Sequence, residues 1–128
     1  MKKKGKKKIL IVEDNLDLFR PLELLLKGSY EIVSATNGKQ AVELAASVHP
    51  DLILMDIIMP EMDGLEAMRL IRQNPETQGV PILAVTATVS NTIEEECYNM
   101  GCDDYICKPF TFDQLLPRIE KLLTPEAA

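Results

Sequence analysis

A single histidine, His49, is all this 128-residue chain offers of the side chain that does most acid–base chemistry. A histidine metal cluster cannot be built from it, and its Val-His-Pro-Asp setting reads as a turn and not as the base of a catalytic triad. Cysteine is almost as scarce. Cys97, Cys102 and Cys107 are an odd number at spacings of five, matching neither CxxC nor a zinc pattern, so reduced structural thiols are expected. Tryptophan is absent, and no apolar run approaches the roughly 18 residues of a membrane span. The first eight residues lack the apolar core of a secretory signal, so a cytoplasmic location is expected. No GxGxxG or Walker loop is present to cradle a nucleotide.

Positive charge is also missing from most of the chain. The net charge is −6, yet six of the 14 Lys and Arg lie within Met1–Lys8. Residues 9–128 carry 8 basic against 20 acidic side chains, a net of −12. Such a body repels nucleic acid, so direct DNA binding is not expected. The basic segment, residues 1–7, reads as a disordered, solvated tail, with contact to an anionic surface as the alternative.

What remains is a chain long enough for one domain with its own core and no need of staples. The run Leu52–Met55, bounded by Pro50-Asp51 and by Asp56, is too short for a helix and reads as a strand buried on both faces. Lys8–Val12 is a second such run, ending in Glu13, Asp14 and Asn15. Leu16–Lys27 has helical periodicity interrupted by Pro21, which requires either a start near Leu18 or a bend. Tyr30–Ala35 alternates as a half-buried strand, Lys39–Val48 is helical, and a helix follows over Leu65–Gln73. Val80–Thr86 is a fourth strand, and a helix capped by Ser90 or Asn91 runs to Met100. Asp104–Cys107 is a fifth strand, and Thr111 caps a last helix reaching Leu123 and containing Pro117. Five β-α alternations without a repeat imply an α/β fold, a doubly wound parallel sheet with helices on both faces.

Carboxylates at strand ends are often only caps or turn formers, and Glu13 and Asp14 could simply favour the positive end of the following helix. Three strands, however, end at Asp14, Asp56 and Thr86, and a fourth runs into Lys108. Carboxyl ends of parallel strands are where open α/β sheets bind ligands.

The segments Ile-Leu-Ile-Val-Glu-Asp-Asn, Asp-Leu-Ile-Leu-Met-Asp-Ile-Ile-Met-Pro-Glu-Met-Asp-Gly, Ala-Val-Thr-Ala and Tyr-Ile-Cys-Lys-Pro-Phe together resemble the receiver domain of two-component response regulators, over about residues 7–123. The resemblance implies a five-stranded flavodoxin-like sheet of order 2-1-3-4-5, with residues 8–123 as the receiver domain and 124–128 as a C-terminal tail. It implies that Asp56 is the phosphoacceptor, taking a phosphoryl group from a phosphohistidine of a histidine kinase or histidine phosphotransfer protein. Mg²⁺ would be held by Asp14 and Asp56, by Glu13 mainly through water, and by the backbone carbonyl of Ile58. Crowded carboxylates and a phosphoryl oxygen suit that hard cation.

Lys108 would neutralise the phosphoryl charge and Thr86 would donate to it, with the Lys108–Pro109 peptide bond cis, as is usual in the family. Tyr105 matches the family's switch aromatic, although an interfacial strand tyrosine reads the same. The product would be a signalling switch and not an enzyme acting on other molecules, although it would take part in its own phosphorylation and slow self-dephosphorylation. It would change the affinity of a downstream protein partner through the face from the fourth strand to the fifth helix. No membrane contact is expected, and the chain is expected as a monomer or weak dimer. The initial Met and the ending read as a stand-alone regulator, although a receiver cut from a hybrid kinase would look the same. Ile58 departs from the polar side chain many relatives carry there. It also stands where a haloacid dehalogenase-type phosphatase would place its second Asp, which argues against that chemistry.

Overall fold

In a computed structural model, residues 6–57, 62–87 and 91–124 are described. The chain alternates β1 (Lys8–Val12), α1 (Leu16–Leu26), β2 (Glu31–Ala35), α2 (Gly38–Val48), β3 (Leu52–Asp56), α3 (Gly64–Gln73), β4 (Ile82–Thr86), α4 (Asn91–Met100), β5 (Asp104–Cys107) and α5 (Phe112–Leu123). The strands form one parallel sheet in the order β2-β1-β3-β4-β5. This is the five-stranded, doubly wound architecture expected from the sequence.

Strand side chains alternate between two cores, as a pleat requires. Leu10, Val12, Ile53 and Met55 pack toward α2, α3 and α4 with Ala41, Ala67, Met68 and Cys97. Ile9, Ile11, Leu52 and Leu54 pack toward α1 and α5 with Leu22, Leu26, Leu115 and Ile119. Every residue of β3 and β4 is buried, which explains why their sequences read as continuous apolar runs. Each such Leu or Ile contributes about 1.5–3 kcal/mol on burial. Among the described residues no helix is long and apolar enough to cross a membrane.

Capping decides the element boundaries. The Asn15 side chain accepts from Asp17 N–H, so α1 starts at Leu16 and runs on through Pro21; it does not begin at Leu18. Asn37 and Asp63 cap in the same way, which makes Gly38 and Gly64 the first helical residues of α2 and α3. The Tyr30 N–H donates to Leu26 O in the exit from α1, so β2 begins one residue later than its alternation suggested. Pro81 has no N–H to give a ladder, and the Val80 carbonyl is taken by Arg72, so β4 begins at Ile82. Thr111 and Gln114 close a reciprocal capping box on α5, which continues through Pro117. Ser90, the other expected cap of α4, lies outside the described residues.

Candidate functional site

Because β1 and β3 are neighbours, Val12 lies beside Met55, and the residues that follow each strand converge at one edge of the sheet. Carboxylate oxygens of Glu13, Asp14 and Asp56 all lie within 4.8 Å of one another. Glu13 and Asp56 are buried, at 5% and 6% exposure, whereas Asp14 is exposed. Lys108 enters from the end of β5. Its Nζ donates to Glu13 Oε1 at 3.1 Å and to Asp56 Oδ2 at 3.4 Å. A second Glu13 oxygen accepts from the Asn15 N–H at 3.2 Å, which ties the carboxylate to the start of α1.

This crowding sets the electrostatics. Burial, followed by the neighbouring Glu13 charge, pushes the Asp56 carboxyl from its ordinary 3.8 up to about 6, against the opposing pull of Lys108. Burial disfavours the Lys108 ammonium, but the Asp56 and Glu13 carboxylates outweigh it and hold its pKa above the usual lysine value. Three carboxylates against one ammonium leave the site short of positive charge. An all-oxygen donor set with one partly solvated member fits a hard divalent cation such as Mg²⁺.

Thr86 is fully buried at the carboxyl end of β4, one strand from Asp56, and its backbone carbonyl accepts from the Lys108 N–H at 2.7 Å. The Lys108–Pro109 peptide bond is cis. Tyr105 is not part of the carboxylate cluster. It stands half-buried on β5 in a groove shared with Glu94, Tyr98 and Arg118, where its hydroxyl accepts from Cys107 Sγ at 3.5 Å. Ile58, named for its carbonyl, lies outside the described residues.

Two supports carried no chemical signal in the sequence. A Cβ on Gly64 would stand 2.3 Å from the backbone oxygen of Asp56, so only glycine lets α3 start against the back of the site. The Gly64 N–H also donates to Ile57 O at 2.8 Å. Gly38 plays the same part for the loop before α3: its N–H donates to Met62 O at 3.0 Å, and a Cβ there would also approach that oxygen to 2.3 Å. A cavity of about 600 Å³ opens beside the cluster, between α1 and the start of α5, with Pro21, Leu22, Val85 and Phe110 on its walls.

The sequence model of the response regulator receiver domain family matches residues 9–120. The polar-differentiation response regulator DivK of Brucella ovis is 38% identical over 120 residues, covering 91% of this chain and 96% of that protein. Among solved structures, the receiver domain of the sensor histidine kinase PA1611 of Pseudomonas aeruginosa superposes with a TM-score of 0.86 at 34% identity, covering 93% of this chain and 98% of that one. That structure has a magnesium ion coordinated in its active-site cleft. Chemotaxis protein CheY4 of Vibrio cholerae has the same TM-score at 28% identity, covering 93% and 100% of the two chains. Sequence, sheet order and the carboxylate edge thus lead to one conclusion: the chain belongs to the response regulator receiver domains.

Proposed function

We propose that the chain is a phosphorylation-dependent switch whose phosphoacceptor is Asp56. The observation that carries this reading is the convergence of Glu13, Asp14, Asp56 and Lys108 on one edge of the sheet. In the proposed reaction an Asp56 oxygen attacks the phosphorus of a phosphohistidine on a histidine kinase or histidine phosphotransfer protein. A P–O bond forms, the P–N bond breaks, and the histidine leaves with its electron pair. Asp56 needs no general base once it is ionised, which suits a chain with one distant histidine.

Phosphoryl transfer is accelerated mainly by alignment and charge neutralisation. Mg²⁺, held by Asp14 and Asp56 and through water by Glu13, with the Ile58 carbonyl as a further ligand, would neutralise phosphoryl oxygens when bound. Lys108, already aimed at Asp56, contributes the ammonium; Thr86 contributes a hydroxyl donor from the adjacent strand. The new group carries nearly two negative charges. It draws Lys108 and Thr86 inward, and Tyr105 follows Thr86 from its groove. The surface from β4 to α5 then changes affinity for a downstream protein by about 1–3 kcal/mol, the usual size of such couplings. Residues 8–123 form the switch, which acts as a monomer or weak dimer and takes part in its own slow dephosphorylation.

Acetyl phosphate with Mg²⁺ tests the assignment. One phosphoryl group is expected per chain, and none on Asp56→Asn. Equal labelling of that variant would remove Asp56 from the role, and turnover of many phosphate esters would make the protein a phosphatase instead.

A further inference from the structure

The carboxylate cluster occupies only one side of the cavity beside it. About 600 Å³ lies between α1, the start of α5 and the carboxyl ends of β1, β3 and β4. Ile11, Leu54 and Val85 line it from the buried side, and Leu18, Pro21 and Phe112, all exposed, line it toward solvent. Among the described residues, Glu13, Asp56 and Lys108 are the polar side chains on its walls. Phosphoryl transfer needs that acidic side alone, and the apolar remainder has no part in it. Pro21 helps to leave the space open, because its ring closes on its own backbone nitrogen and reaches only a short way from α1. The volume falls within the roughly 300–1,000 Å³ of small-molecule sites, which likewise pair apolar walls with a few convergent polar groups. Water held loosely against such walls is displaced with gain by an apolar body.

We propose that this cavity binds a small apolar amine in its protonated form, the hydrocarbon body between α1 and α5 and the ammonium against Glu13 and Asp56. Charge complementarity selects the amine. Glu13, Asp14 and Asp56 crowd within 4.8 Å of one another, and Lys108 is the one ammonium bonded among them, so one positive charge meets three negative ones, a net of −2. A ligand ammonium reduces that imbalance, a ligand carboxylate adds to it, and a neutral ligand leaves it as it stands. The remaining walls offer no side-chain partner for a second polar group, which confines the ligand to one charged end on an apolar body. The binding itself does not depend on Asp56 accepting a phosphoryl group. Its consequence for signalling rests on that reading: the ammonium takes the carboxylates that Mg²⁺ needs, so ligand and cation weaken each other by the same factor, and a chain holding the ligand is not labelled.

The test is titration of the full chain into naphthylethylamine, naphthylethanol and naphthylacetate at neutral pH in EDTA. Binding is read from the anisotropy of naphthyl fluorescence, which no tryptophan obscures. The amine should bind about 10–100-fold more tightly than the alcohol, the usual worth of a hydrogen bond to a charged group, and the acetate should bind most weakly. Millimolar Mg²⁺ should weaken the amine, and the amine should slow labelling by acetyl phosphate. Pro21→Phe gives α1 back the N–H that proline withholds and sets a larger side chain at the opening. Leu18→Arg places a cation at the exposed rim. Both variants should lose amine affinity about tenfold while labelling without amine stays unchanged, and Leu18→Arg should bind the acetate more tightly. Equal binding of the three probes, tighter binding of the acetate by the unaltered chain, or no binding of the amine overturns the proposal. Amine affinity that neither variant nor Mg²⁺ alters overturns it too. A chain that binds the amine but takes no phosphoryl group keeps this site and loses only the phosphoacceptor.

Discussion

Removing the charge of Asp56 should stabilise the protein when no metal is bound. The carboxyl titrates near 6 in the folded chain against 3.8 ordinarily, mainly because it is buried and faces Glu13. Well below 3.8 both states are protonated and the site costs nothing; at pH 4 it costs less than about 1 kcal/mol. As pH rises from 4 through 6 the unfolded chain ionises freely while the folded one resists, and stability is lost; above 6 the penalty is complete. Two pH units at about 1.36 kcal/mol each set a ceiling of about 3 kcal/mol. Shared titration with Glu13 and Lys108, and the hydrogen bond Asn can still accept from Lys108, put the net gain of Asp56→Asn at about 1–3 kcal/mol. For a chain of this size that is about 4–10 °C in Tm.

The assay is urea unfolding of both proteins in EDTA at pH 4 and pH 8, followed by far-UV circular dichroism because the chain has no tryptophan. The variant should be more stable at pH 8, with the gap shrinking to less than about 1 kcal/mol at pH 4. Millimolar Mg²⁺ should narrow the gap by stabilising the wild type alone. A variant less stable at pH 8, or a gain undiminished at pH 4, would refute the electrostatic account of the site.

Other consequences can be checked separately. Lys108→Met should fold normally yet lower the rate of phosphoryl labelling about 100-fold, the usual effect of losing one donor to developing charge, as measured with acetyl phosphate. Apparent Mg²⁺ affinity should fall as pH drops through about 6, by up to tenfold per unit, because the cation competes with the proton on Asp56; calorimetric titration at pH 5, 6 and 7 would show it. Gly64→Ala should cost about 3 kcal/mol or more and impair labelling, since its Cβ meets the backbone of Asp56, whereas Gly28→Ala, with nothing within 4 Å, should stay within about 0.5 kcal/mol in urea unfolding. Arg72→Met strips hydrogen bonds from the carbonyls of Gly101, Gln78 and Val80 and should cost about 2–4 kcal/mol in the same measurement.

The sheet was legible because its central strands are buried on both faces, so Ile9–Val12, Leu52–Met55 and Ile82–Val85 had to be apolar at every position. Asp14, Asp56 and Lys108 could be read because each stands just where an apolar run stops. Elements half exposed, or governed by partners distant in sequence, were less visible. β2 lost Tyr30 to the helix exit, and β4 lost Val80 to the Arg72 side chain eight residues earlier. The contact between Gly64 and the back of Asp56 is written in no local pattern, since it depends on how α3 returns to the sheet. Tyr105 had the right strand position, but its lodging with Cys107 and Arg118 in a separate groove is a tertiary fact.

One guanidinium gives the fold a fulcrum. Arg72 fastens the turn before β4 to the turn before β5, reaching Gln78 and Val80 on one side and Gly101 and Asp103 on the other. The near ends of both strands are thereby pinned together at the pole remote from Asp56. Thr86 and Lys108 stand at the other ends of the same two strands, joined there by a backbone hydrogen bond. Tied at both ends, β4 and β5 would answer a pull at the acidic edge as one unit, with Arg72 as its anchor.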